Sequence, residues 1–247
     1  MNWLKRSSAD RKQTREITPE IDLGTATLPV ILRRHPTAKR LTLRLAPDGS
    51  AVRVTLPAWA PAREAIAFAR SRADWLAEQL QRIPQRSAPE AGGIVQFRGV
   101  PVTIMWEESS ARRPVFSDNT VRVGGAAEGL ETRLRRWLER EALTLFESDM
   151  RDYCARAALD PVPVALSRAQ KRWGSCSDMR RIRLNWRLVQ APDHVRRSVV
   201  AHEVTHLVHF DHSPAFHAML AEIYEGEIRE ADAWLKVNGR SLYAPFG

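Results

Sequence analysis

Apolar and polar residues alternate through RLTLRLAPDGSAVRVTLP, which sets Leu41, Leu43 and Leu45 on one face and, after Pro47-Asp48-Gly49, does the same for Val52, Val54 and Leu56. A period of two is that of a half-buried strand, and a Pro-Asp-Gly step turns the chain, so the stretch predicts a hairpin. The period then changes. Ile66, Ala69, Ala73, Leu76, Leu80 and Ile83 recur at helical steps behind Pro61, predicting one helix of about six turns over 61–83. PQRSAPEAGG reads as a linker, and IVQFRGVPVTIMWEE and PVFSDNTVRVGG as further strands joined by turns. Past Gly125 a long helix is expected, carrying Leu130, Leu134, Leu138, Leu145 and Met150. Two short strands, VPVAL and RIRLNWRL, precede helical patterns that run to the end.

These elements predict an α+β protein: a polar tail over 1–20, a β-rich region with one helix over 21–125, and a mostly helical domain with a small sheet over 126–247. Forty-four per cent of the 247 residues are hydrophobic, enough for a sizeable core. Cys154 and Cys176 stand alone and far apart, which excludes a disulfide framework and a cysteine zinc cluster. No apolar run reaches the roughly 18 residues of a membrane span, and the expectation is a cytoplasmic protein with no membrane partner. A net charge of +9 is compatible with nucleic acid, nucleotides or acidic proteins and selects none of them.

Five of the seven histidines fall in AHEVTHLVHFDHSPAFHAML, residues 201–220. Pro192 and Asp193 open a Val-rich helical stretch, so His202, Glu203 and His206 form H-E-x-x-H on a helix. Four-residue spacing puts both imidazoles on one face, where they can grip one ion, and the intervening carboxylate can take a proton from the water such an ion activates. By chance, roughly one such chain in 70 would carry this motif, so the residues beyond it bear on the reading. A catalytic zinc needs a third protein ligand, for which His209 and His212 compete. On a continuous helix His209 would share the face but stand a turn too far along the axis. Ser213-Pro214 looks like the cap and first turn of another helix, so a turn at about 209–212 would swing His212 back over the pair. The turn favours His212.

KRWGSCSDMRRIRLNWRLVQAP and, after it, VVAHEVTHLVHFDHSPAFHAML closely resemble the YgjP-like metal-dependent hydrolases, a zincin family related to the SprT-like proteases. W-G-S-C, L-N-W-R-L and H-E-x-x-H-x5-H-S together carry the resemblance over about 165–235. It implies that 126–247 is a zincin-like catalytic domain, that His202, His206 and His212 hold the metal, and that Glu203 is the catalytic base. His217 departs from the pattern, many relatives having Trp there, and so does the tail YEGEIREADAWLKVNG.

Lys171, Arg172, Trp173, Gly174 and Ser175 are candidate substrate contacts, with Gly174 marking a tight turn or a close backbone approach. RIRLNWRL is the expected sheet edge for an extended peptide, while Trp173 and Trp186 equally suit a core. Cys176 is a candidate fourth, inhibitory ligand. Three functions are compatible with these residues, in order of preference. The first is a zinc metallopeptidase acting on a peptide or protein. The second is a Mg²⁺- or Mn²⁺-dependent nucleoside triphosphate pyrophosphohydrolase, acting for example on UTP, with Lys171, Arg172, Arg180, Arg181 and Arg183 gripping phosphate. The third is a DNA-associated SprT-like protease, for which neither helix-turn-helix nor zinc finger is evident.

Overall fold

The computed structural model describes residues 19–46, 49–81 and 87–246. The chain divides into two compact units between residues 83 and 84.

In the first unit, β1 (Glu20–Asp22), β2 (Thr27–His35), β3 (Thr42–Leu45) and β4 (Val52–Pro57) form one sheet in the order β1-β2-β4-β3. β3 and β4 pair antiparallel with Leu45 opposite Val52, the predicted hairpin. Its turn residues Pro47 and Asp48 lie outside the described residues, as do positions 1–18 of the expected tail, 82–83 at the end of the expected helix and 84–86 at the head of the expected linker. Val30, Val52, Val54 and Leu56 face inward onto Ala65, Ala69 and Leu76. The single helix expected over 61–83 is in fact two, α1 (Ala62–Arg70) and α2 (Ala73–Gln81). At the break the Ser71 hydroxyl donates to the Phe68 carbonyl at 2.9 Å, and the Arg72 amide bonds back only three residues, to Ala69 at 3.0 Å. A local side-chain bond and a tightened turn thus end a pattern whose apolar spacing alone would have continued.

The second unit begins with β5 (Ile94–Phe97), β6 (Val100–Trp106), β7 (Val115–Ser117) and β8 (Thr120–Val123), in the order β5-β6-β8-β7. Asp118 and Asn119, at φ 50° and 53°, make the two-residue β7–β8 turn. Val95, Phe97, Val102, Ile104, Val121 and Val123 belong to the same core as α3 (Leu130–Arg156). The change near residue 125 is therefore one of composition, and the division between compact units lies earlier, because these strands bury their inner face against the long helix.

Behind α3, β9 (Val164–Ser167), β10 (Gly174–Cys176) and β11 (Ile182–Asn185) form a sheet in the order β10-β11-β9. Two expectations are corrected here. The strand expected over 181–188 stops at Asn185, whose side chain accepts the Arg187 amide and caps a 3₁₀ segment, Trp186–Gln190. It is also central, not an edge; the edge strands are β9 and β10, the latter containing Gly174.

The helices α4 (Asp193–Thr205), α5 (Pro214–Ile223) and α6 (Ile228–Asn238) complete the unit. α4 is buried nearly all round, by Val195, Val199, Val200, Ala201 and Val204 among others. Ion pairs fix its position. Buried Arg196 bonds Asp149 of α3 at 2.7 Å and also holds Asp193, and Arg197 reaches Asp149 at 3.0 Å. No helix among the described residues is long and apolar enough to cross a membrane.

Candidate metal centre

The helix carrying H-E-x-x-H ends sooner than the sequence pattern indicated. α4 stops at Thr205 and His206 is its C-cap, so the chain turns over 206–212 and not from about 209. Ser213 then caps α5, its hydroxyl accepting the Phe216 amide, with Pro214 in the first turn. This tight reversal returns His212 to the preceding helix. His202 Nε2 and His212 Nε2 lie 3.2 Å apart, and the ligand nitrogens of His202, His206 and His212 all lie within 4.8 Å of one another.

His209 is not one of the three converging imidazoles and acts through its backbone instead. Its backbone carbonyl accepts a hydrogen bond from His206 Nδ1 at 2.9 Å. A carbonyl can only accept, so Nδ1 carries the proton and Nε2 keeps its lone pair for a metal. Buried Phe216 packs against all three rings at centroid distances of 4.7–4.9 Å. Burial, and after it the neighbouring His206, His212 and His217, pushes His202 down to about 4, leaving the imidazole neutral at pH 7. Neutral imidazoles are what a transition metal takes, and tetrahedral Zn–N bonds set neighbouring nitrogens about 3.4 Å apart. The three histidines fit such an ion.

Glu203 stands beside them, 5 % exposed, with Oε2 lacking a hydrogen-bond partner. Burial raises its carboxyl to about 7, opposed by the charge of Arg172. It abuts β10: a Cβ on Gly174 would stand 2.6 Å from Glu203 Cγ and 2.7 Å from Cδ, and closer still to Oε1. Gly174 is therefore a close approach. His202, Glu203 and His212 open onto a cleft of about 400 Å³ that Trp173, Gly174, His217 and Leu235 also line.

The remaining predicted residues separate. Trp173 is half-buried and lines the cleft, stacking near Tyr243 at 5.8 Å, whereas Trp186 is buried in the core. Arg172 and Ser175 line a different pocket, and Lys171 is exposed. Cys176 is not grouped with the three histidines; burial raises its thiol, and the charge of Glu203 raises it further. Sequence reasoning missed Asn185 and Tyr243, which fix the segment entering β10. Asn185 Nδ2 donates to the Ala169 carbonyl at 2.8 Å and to the Tyr243 hydroxyl at 3.1 Å, and the Asn185 amide donates to the Trp173 carbonyl at 2.7 Å. It missed Phe216 as well. Asn185 fell inside the L-N-W-R-L stretch without a role being read for it, and nothing local distinguishes Tyr243 or Phe216 from any other core aromatic.

Two imidazoles one helical turn apart, a carboxylate between them and a third imidazole returned by the next turn form a cluster that could hold a metal ion, consistent with an HExxH-type motif. The chain belongs to the YgjP-like metallopeptidase domain family, whose model matches residues 39–238. No curated protein and no solved structure matches it.

Proposed function

We propose that the protein is a zinc-dependent peptidase in which His202, His206 and His212 hold the ion and Glu203 is the general base. The convergence of three imidazoles beside a buried, unpartnered carboxylate carries this reading. A zinc ion held there would polarise a carbonyl and lower the pKa of water. Glu203 takes the proton of the attacking water and returns it to the leaving amine. The free edge of β10 offers backbone groups to an extended substrate, and Gly174 lets that edge lie against Glu203. Trp173 and Leu235 give the adjoining cleft apolar walls for a side chain.

The test is cleavage of denatured casein by zinc-loaded protein, beside a panel of nucleoside triphosphates supplied with Mg²⁺ or Mn²⁺. Glu203→Gln should keep zinc at near one per chain and lose turnover by about 10² to 10⁴-fold, because it removes the base and no ligand. Casein cleavage retained by Glu203→Gln, or turnover confined to nucleotides, would overturn the reading.

A further inference from the structure

A second pocket, of about 540 Å³, is lined by Glu139, Ser167, Arg168, Arg172, Ser175 and Arg183 among others. It shares strand β10 with the metal-bearing cleft. Gly174 faces Glu203, and successive residues of a strand point to opposite faces, so Ser175 turns to the other side. There Ser175 lies opposite Arg183 of β11 in the ladder.

The charge of this pocket is unbalanced. Arg168 is paired with Glu139 at 2.8 Å, which neutralises both. Arg172 and Arg183 make no ion pair with the described residues. Like charges gathered in a concavity repel, and an anion placed among them relieves the repulsion while taking the forked donors of guanidinium groups.

We infer that this pocket is an anion subsite, in which Arg172 and Arg183 receive the carboxylate of a Glu or Asp flanking the scissile bond of a peptide held along β10. The inference rests on the peptidase reading for its geometry. A strand added to the free edge alternates its side chains as β10 does. One set falls toward the metal-bearing cleft and the other toward Arg172 and Arg183. The subsite thus selects peptides with an acidic residue near the cleaved bond.

The experiment uses full-length, zinc-loaded Glu203→Gln protein, which lacks the base but keeps the pocket, and matched fluorescein-labelled peptides differing only by Glu or Gln at one flanking position at a time. At one position the Glu peptide should bind about tenfold more tightly, a preference that shrinks as salt is raised. Adding Arg172→Gln and Arg183→Gln together should equalise the pair, each alone should remove part of the preference, and Arg183→Lys should retain some of it. Both side chains are exposed, so the variants should match the parent in circular dichroism. Equal binding of every Glu and Gln pair overturns the inference, and so does a preference untouched by the double variant. Tripolyphosphate that displaces the peptide and binds more tightly than it overturns the inference in favour of a phosphate site. If the Glu peptide is preferred through these two arginines but the unsubstituted enzyme cleaves none of the peptides, the subsite stands and the peptidase reading falls.

Discussion

Replacing Gly174 by alanine adds one methyl group and no charge, yet it should disable the site. The new Cβ would lie 2.6 Å from Glu203 Cγ and 2.7 Å from Cδ, whereas carbon atoms in ordinary contact stand about 3.5 Å apart. The Glu203 side chain or the β10 backbone must therefore retreat by roughly 1 Å. Gly174 does not adopt a positive φ, so alanine brings no backbone strain and the effect is steric alone. Misplacing a reacting group by about that distance costs about 10²-fold in rate, and overpacking at a buried contact costs about 1–3 kcal/mol of stability. None of the three histidines is touched, so zinc affinity should be unchanged. The assay is kcat/KM on a casein-derived peptide, with zinc affinity from dye competition and stability from urea unfolding measured on the same preparation. A Gly174→Ala enzyme as active as the parent would show that Glu203 has room the packing denies, or that it is not the base. Loss of zinc instead of rate would place the damage in α4.

The remaining expectations concern the same few residues. His212→Ala should weaken zinc affinity severely, whereas His209→Ala keeps the carbonyl that fixes His206 and should change it little; zinc titration of both decides, and the opposite order would refute the ligand set. In metal-free protein, burial raises Glu203 from 4.5 to about 7. A folded-state value above the unfolded one contributes stability that is fully present below pH 4.5 and lost as pH climbs through about 7. Metal-free Glu203→Gln should accordingly gain on the parent by about 3 kcal/mol at pH 8 and by nothing near pH 4, read by urea unfolding across pH; a gap that does not change with pH would refute the buried-charge account.

Much of the fold is written in local periodicity. The alternation over 41–56, the helical spacing of Leu130, Leu134, Leu138 and Met150, and the Ser213-Pro214 start signal are each satisfied by the chain within one or two turns or strands, and each forms where the pattern put it. The motif at 202–206 is of the same kind, because helix geometry alone sets His202 and His206 side by side. Where the pattern misled, a bond between non-periodic atoms had intervened: the Ser71 hydroxyl broke a helix that the apolar spacing extended, and the Asn185 cap cut a strand short. The composition change near 125 does not coincide with the division between compact units. Strands and helix differ in local texture but share one core, and only packing reveals what is buried against what.

The site itself needed the third dimension. His212 joins His202 because the chain reverses within seven residues, and the distance between them depends on torsions that no spacing encodes. The role of the His209 carbonyl is invisible in sequence, since every residue has one. Gly174 was legible as a close approach but not as an approach to Glu203, some thirty positions away, and β10 is an edge strand, with β9, because β11 pairs on both sides. Sequence determines what each residue can donate, accept or bury over a few neighbours. Which of those groups meet is decided only when the core closes, because burial and hydrogen bonding between distant segments select one arrangement from the many that local preference allows.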